Sequence, residues 1–514
     1  MKSISRRDFL KGSLATAVSA VGIASGFGNL TAFADDAAPE EEGLFVPEKV
    51  DEVFDCDVVI VGGGIAGLAA AVQAGESGLK AIVLEKGAAT GGAGIGVEGI
   101  FGCNTSDQQA QGIEMDAGTV IRHEMKSSQY FASGVLWTDL VQASAENYDW
   151  LKENGVKFSG VIDNYGNGIV PSFHWFEGGV AAVGYVPPMT EKAESLGVEF
   201  ITEASGRSLI YDGTAVSGVY AERKDGSFIQ VNAKAVILAT GGFSYNDKLL
   251  ERWGWNMDHL IKIGLINSDG SGIEMGLSVG GQDCVADACS LVAGGINGIP
   301  NMGGDATGQK LGFGGPFLWV NGDGERFTPE DIATENTMSS YLPAVVQRIC
   351  YSVADSEIIN GLLTEDEMKT FTSTLEKCPD DNIYAADTLE ELAEKFGIKP
   401  EVLTASVARY NELCDNGVDA DFAKDPSQLL PIREAPFYMF RLDPAVLVMI
   451  GGLGTSRDFE VLKEDGSAIP GLYAIGVDGV RIYRHSYPID VPGSCCANNV
   501  NSGRRAIRHI VANL

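Results

Sequence analysis

Apolar positions change their spacing along this chain, and the changes mark elements. Cys56 to Val61 is a short β-branched run, fit for a strand buried on both faces. Gly62-Gly63-Gly64-Ile65-Ala66-Gly67 follows at once. Leu68 to Ser77 is alanine-rich and helical in character, and Gly78 ends it. Lys80 to Leu84 is a second strand, closed by Glu85. Two more buried strands are predicted. One is Ala235–Leu238, ending in Ala239-Thr240-Gly241-Gly242; the other begins at Gly471 and ends at Asp478.

The first turn supplies G-x-G-x-x-G between two strands. Gly62 allows the tight turn, Gly64 lets backbone approach a pyrophosphate, and Gly67 lets helix and strand pack closely. The helix N-terminus, with Ile65 and Ala66 in its first turn, offers unpaired N–H groups to the phosphates. Glu85 lies 18 residues after Gly67, where it can accept both ribose hydroxyls. Lys86 comes next, then a second glycine loop, Gly91-Gly92-Ala93-Gly94-Ile95-Gly96. There are thirteen glycines from Gly62 to Gly102. A second glycine loop straight after the ribose acid suits a flat isoalloxazine lying against backbone, so the expected dinucleotide is FAD.

Composition narrows the picture. The chain has 514 residues, 45% of them hydrophobic, so it is globular and too long for one core. Its 65 glycines concentrate partly in the turns above. A net charge of -33 excludes a nucleic-acid-binding footprint and adsorption to anionic lipid. Nine cysteines without tight spacing predict buried free thiols, and no metal site is expected. At the N-terminus, Ser5-Arg6-Arg7-Asp8-Phe9-Leu10-Lys11 and the mildly apolar run to Phe27 form a twin-arginine signal, with Ala32-Phe33-Ala34 as cleavage site. That route exports folded proteins, which predicts a bound cofactor and a place in the periplasm or on the outer face of the cell membrane. Residues 35–51 read as a flexible tether.

Taken together, these motifs resemble the fumarate reductase/succinate dehydrogenase flavoprotein superfamily, which includes urocanate-reductase-like proteins and 3-ketosteroid dehydrogenases. The resemblance also rests on Asn267-Ser268-Asp269-Gly270-Ser271-Gly272, Gly324-Glu325-Arg326-Phe327, Val407-Ala408-Arg409-Tyr410-Asn411 and Gly451-Gly452-Leu453. It implies an α/β fold: a Rossmann-like, glutathione-reductase-like FAD domain, 50–285 with 432–514, interrupted by an α+β cap at 286–431. Substrate would sit between cap and flavin. The family pattern places FAD on Gly62, Gly64, Gly67, Glu85, Gly92, Thr240, Gly241, Asp269, Asp478 and Gly493. Asp478 would bind the ribityl chain. Ile65, Ala66, Lys86, Gly91 and Ser494 complete the expected set. No histidine occupies the 91–96 loop, so the FAD is expected to be non-covalent.

The chain departs from fumarate reductases where they clamp carboxylates. The proton-donor arginine falls on Glu335, its relay on Lys310 and Phe313, a histidine on Leu447 or Val448, and a C-terminal arginine near Asp490. A dicarboxylate would meet like charge there, so fumarate is disfavoured. The segment Arg484-His485-Ser486-Tyr487-Pro488, leading to Gly493, resembles the ketosteroid-dehydrogenase loop instead. There Tyr487 and the Gly493 N–H would polarise an enone oxygen, with His485 orienting Tyr487 or supplying a proton. Glu335 is a second candidate acid. The leading expectation is an exported FAD reductase of an activated C=C bond, an enone or enoate. Its electrons would come from a separate donor, a membrane-anchored cytochrome. The alternatives are the same chemistry reversed, a 3-ketosteroid-dehydrogenase-like FAD enzyme oxidising a C–C bond next to a ketone, and a flavin-binding protein without catalysis.

Overall fold

A computed structural model describes residues 44–166, 168–253, 257–290, 294–301, 307–335, 339–376, 382–479, 482–483 and 487–514. The twin-arginine segment, most of the expected tether, and Arg481, Arg484 and His485 lie outside the described residues. The described chain falls into two compact units. The smaller takes its residues from 255–263 and 292–446, the larger from the rest. No described helix is long and apolar enough to cross a membrane.

The larger unit is built on one eight-stranded sheet. Its strands are β1 (Glu52–Val61), β2 (Ala81–Leu84), β3 (Glu199–Ile201), β4 (Ala204–Tyr211), β5 (Val216–Arg223), β6 (Phe228–Leu238), β7 (Glu460–Leu462) and β8 (Ala468–Ala474). The order is β7-β8-β6-β1-β2-β3, with the β4–β5 hairpin attached to β6. Strands β8, β6, β1, β2 and β3 run parallel. Register aligns Val61 with both Leu84 and Leu238, and Leu238 with Ala474. The residues that follow, Gly62, Glu85, Ala239 and Ile475, therefore leave the sheet along one edge. Ligands bind outside the carboxyl ends of such strands, where the chain direction of winding switches.

β1 begins four residues before the apolar run that announced it. Glu52–Asp55 pair with Ile229–Asn232 of β6, but Glu52, Val53 and Asp55 are exposed, and the acids at either end break the apolar run, so apolar patterning does not reveal them. Four helices matter for the site: α1 (Ile65–Glu76), α2 (Ala117–Ser127), α3 (Gly134–Glu153) and α4 (Ser494–Asn513). α4 lies directly on α1. A Cβ on Gly503 would come within 2.6 Å of the Ala66 carbonyl oxygen and 2.9 Å of the Ala70 nitrogen. The next residue locks the packing. Buried Arg504 donates to Gln73 of α1 at 3.1 Å, to Asn147 of α3, and to Glu146 of α3 at 3.0 Å, with its guanidinium 4.4 Å over the Trp150 ring.

The smaller unit holds a four-stranded antiparallel sheet, ordered Leu318–Asn321, Cys350–Asp355, Phe437–Arg441, Ile383–Ala386. Pairing of Phe437–Arg441 carries the chain to Val446 within this unit, whereas the sequence placed the return at 432. Its core is organised around a buried charge network. Arg326 forks onto Glu330 at 2.8 and 2.9 Å and onto Asp419 at 3.1 and 2.7 Å. Lys424 reaches Glu330 at 3.1 Å, the Pro316 carbonyl at 2.6 Å and the Tyr410 hydroxyl at 2.8 Å. The Tyr410 ring lies 5.0 Å from the Arg326 guanidinium. The family motifs around Arg326 and Tyr410 are thus one folding unit.

Removing one partner of a buried ion pair leaves an uncompensated charge. Glu330→Gln, which weakens both Arg326 and Lys424, is expected to cost about 3 kcal/mol in urea denaturation. Unchanged stability would show that the network is replaceable.

Candidate flavin and active site

The glycine turn after β1 is built for close approach. Gly62 has φ +112°, and a Cβ there would sit 2.2 Å from the Ala239 carbonyl oxygen. A Cβ on Gly67 would sit 1.9 Å from the Gly62 carbonyl oxygen. At Gly64 the nearest atom to an added Cβ is the Gly91 oxygen at 3.9 Å, so this backbone is unobstructed. The Gly91 N–H donates to the Gly63 carbonyl at 2.9 Å, which folds the second glycine loop onto the first. Gly92, at φ +50°, meets nothing within 4 Å.

Two charged positions close this end. Glu85 accepts from the Gly63 N–H at 2.8 Å and from the Gly87 N–H at 2.6 Å, one on each oxygen. Burial pushes its carboxyl up, against the pull of those two N–H groups. Each oxygen keeps a lone-pair site for a further hydroxyl. Lys86 forms an ion pair with Asp269, whose other oxygen accepts from the Ser271 N–H at 3.1 Å.

Asp478 is fully buried. It accepts from the Thr240 N–H, from the Thr240 hydroxyl at 2.9 Å, from the Gly241 N–H at 3.1 Å and from the Gly242 N–H at 2.8 Å. A carboxylate offers about four such sites, and here all four are used. Asp478 therefore holds the turn after β6, with four donors already on its carboxylate. Gly272 caps the cluster: its N–H donates to the Thr240 hydroxyl at 3.1 Å, and a Cβ would lie 2.5 Å from that oxygen.

The second focus is the start of α4. Gly493, at φ +77°, is its N-cap, without a capping side chain. A Cβ there would lie 2.5 Å from the Phe101 nitrogen and 2.9 Å from the Phe173 ring. The Phe101 N–H donates to the Gly493 carbonyl at 3.1 Å. Gly493 thus rests on a three-stranded antiparallel sheet, Gly99–Phe101, Phe173–Phe176 and Phe158–Asp163. Tyr487 is 5% exposed, and its ring centroid is 5.3 Å from that of Tyr483. Burial drives its hydroxyl far above the ordinary tyrosine range, opposed by hydrogen bonding to Ser494 and to the Cys495 backbone. Ser494 also accepts from the Tyr483 hydroxyl at 2.9 Å. The structure thus joins Tyr487 to Gly493 and Ser494. It adds Tyr483, whose only signal in the sequence is its place in the same loop.

The remaining titratable and motif residues are placed elsewhere. His174 pairs with the Thr105 hydroxyl at 2.8 Å and with the Ser172 carbonyl at 3.0 Å. Burial lowers its pKa from 6.5 to about 4, so it packs the core as a neutral ring. Glu335 is exposed at the end of the short helix Ile332–Glu335, its carboxyl pushed up by partial burial and by Asp331 and Asp425. Lys310 pairs with Glu367, and Phe313 packs edge-on against Trp319 at 5.5 Å. Neither can relay protons as the fumarate reductase residues would. Leu447 and Val448 are half-buried apolar side chains, and Asp490 pairs with His123. His485 lies outside the described residues. The eight described cysteines are free.

These observations fit FAD. α1 starts at Gly64 with no side-chain cap and no acid in its first turn, where Ile65 and Ala66 are buried. α4 starts at Gly493 in the same manner. Both helix ends keep their partial positive charge free of the chain's own anions, although at α4 the Cys495 N–H is engaged by the neutral Tyr487 hydroxyl.

Two outcomes follow. Asp478→Asn turns two acceptors into one and faces an NH2 against N–H donors, so purified protein is expected to lose at least tenfold in flavin affinity, read by fluorescence titration. Full retention would show that the turn holds itself. His174 is neutral when folded, so the unfolded chain binds one more proton between pH 4 and 6.5. Its contribution, about 3 kcal/mol, is whole above pH 6.5 and lost as pH falls toward 4. His174→Gln is expected to flatten that part of the stability–pH curve. An unchanged slope would contradict the neutral ring.

Comparison with known proteins agrees with this geometry. The chain is 31% identical over 476 residues to the vinyl phenol reductase of Lactiplantibacillus plantarum, covering 88% of this chain and 96% of that protein. Among solved structures it resembles the open conformation of a flavocytochrome c3 fumarate reductase, with TM-score 0.63, 23% identity, and coverage of 90% and 79%. It also resembles a 3-ketosteroid-delta4-(5alpha)-dehydrogenase from Rhodococcus jostii, with TM-score 0.65, 24% identity, and coverage of 90% and 98%. Residues 3–22 match the twin-arginine translocation signal, so the chain carries an export signal of that pathway. Residues 57–489 match the FAD binding domain family, and with its two uncapped helix ends and glycine cradle the chain belongs to that family of FAD-dependent oxidoreductases.

Proposed function

We propose that this protein reduces an activated, uncharged carbon–carbon double bond, one conjugated to a single oxygen such as a ketone or a phenol. The observation that carries this reading is the Tyr487 hydroxyl, buried against Ser494 at the first turn of α4. FAD, held non-covalently by the residues around Gly62, Glu85, Thr240 and Gly493, supplies the hydride chemistry. With its pKa raised by burial, Tyr487 stays protonated and is a standing hydrogen-bond donor. Donation to the conjugated oxygen draws electron density from the alkene and stabilises the charge that develops there. The Ser494 hydroxyl orients the Tyr487 O–H. The N-terminus of α4 adds a positive potential at the same place.

Charge at neighbouring positions sets the substrate class. Asp490 stands where a carboxylate clamp would need a cation, and Leu447 and Val448 supply none. The vinyl phenol named for the 31%-identical relative is an alkene without a carboxylate, in keeping with this reading. We assign the cap role to the smaller unit. The working place is the periplasm or the outer face of the cell membrane. Electrons come from a separate donor, a membrane-anchored cytochrome with a basic face, to which a chain of net charge -33 is attracted.

Purified, flavin-loaded protein is to be assayed anaerobically by oxidation of a reduced dye with 4-vinylphenol, an enone steroid and fumarate. At least one neutral alkene is expected to exceed fumarate 100-fold in kcat/KM. Tyr487→Phe is expected to lower that kcat/KM by about 100-fold with flavin content unchanged. Fumarate as the best acceptor, or an unaffected Tyr487→Phe enzyme, would overturn the proposal.

A further inference from the structure

The larger unit contains a cluster that the flavin site does not use. His123 and Glu124 lie next to each other on α2, and Asp490 lies in the segment between Tyr487 and Gly493. One nitrogen of His123 and one oxygen from each carboxylate lie within 4.8 Å of one another. These groups are 367 residues apart in sequence, so no motif spacing announces them.

The cluster is electrostatically incomplete. Glu124 is 3% exposed, and its Oε1 is buried without a hydrogen-bond partner. Asp490 Oδ1 is buried and unpartnered as well. His123 Nε2 is aimed at the other Asp490 oxygen. Among the described residues no lysine or arginine pairs with either carboxylate. A buried carboxylate oxygen without donor or cation is costly, and two in one cluster are costlier. Partial exposure of His123 and Asp490, 32% and 24%, leaves an entry path and room for water ligands.

We propose that His123, Glu124 and Asp490 bind one divalent transition-metal cation, which clasps α2 to the segment leading into α4. One imidazole nitrogen and two carboxylate oxygens suit zinc or manganese, with water completing the shell. Calcium and magnesium, which take oxygen ligands, fit less well. The clasp would fix Asp490, whose backbone carbonyl already accepts from the Ile169 N–H at 3.0 Å. Three residues on lies Gly493, so the cation bears on the segment leading into the α4 N-terminus; the two carboxylates of Glu124 and Asp490 cancel its charge, so it offers a substrate carboxylate no net positive clamp.

The test uses flavin-loaded protein stripped with chelator, then titrated with Zn2+, Mn2+, Mg2+ or Ca2+ alone. Calorimetry is expected to show one site per chain for Zn2+ or Mn2+, at least 100-fold tighter than for Mg2+ or Ca2+. The same cation is expected to raise the melting temperature by several degrees. Glu124→Gln and His123→Ala, both still flavin-loaded, are expected to lose at least 30-fold in affinity and the thermal shift. Absence of binding, or binding unchanged in both variants, overturns the proposal. A preference for Mg2+ or Ca2+ overturns the transition-metal assignment. If Glu124→Gln fails to fold, elemental analysis of untreated wild-type protein decides: less than 0.1 cation per chain, with no uptake on titration, refutes the site.

Discussion

Two helix N-termini left without caps are the constraint on which this structure depends. α1 begins at Gly64 and α4 at Gly493, and neither has a side-chain cap or an acid in its first turn. In an ordinary helix that omission costs about 1 kcal/mol. Here it keeps N–H groups and positive potential for a bound anionic cofactor. The omission is possible because both helices are held by other means. They pack on each other through Gly503, and Arg504 bolts them to α3. A chain so acidic overall must keep its own carboxylates away from these ends. It does so by spending them on backbone, as Glu85 and Asp478 do.

The same economy separates this protein from dicarboxylate reductases. Positions that would carry a clamp and a proton relay are used for packing and pairing. Lys310 neutralises Glu367, Phe313 fills a core, and Asp490 turns toward His123. What remains at the start of α4 is a hydroxyl, a serine and a helix dipole. Under the proposed function, those groups would recognise one neutral oxygen, not two carboxylates. Buried tyrosine is well suited to that work, because burial blocks its ionisation and leaves it a donor.

Much of the larger unit could be read directly. Parallel strands buried on both faces announce themselves as unbroken β-branched runs, and glycines between strand and helix identify the turn. The reading failed where the signal is weak in principle. Glu52–Asp55 is the largely exposed start of β1, its apolar residues broken by acids, and Phe437–Arg441 is an apolar run that suits a strand of either unit. The sequence offers Asp478 for the ribityl chain but does not show the protein groups it also holds. Sequence shows that an acid follows β8, not that four donors already surround it.

The sequence by itself determined the class of protein: a dinucleotide turn, an FAD-type second glycine loop, a twin-arginine signal, and no cations where fumarate requires them. These are local properties, because backbone conformation, helix ends and export signals are written in contiguous residues. Only the tertiary structure decided which side chains meet. Tyr487 against Ser494, Arg504 among three helices, and His123 and Glu124 beside Asp490 are contacts across loops or hundreds of residues. Such meetings depend on how strand register and helix packing close the chain on itself. No periodicity encodes them, since each partner's own neighbourhood reads as ordinary helix or loop.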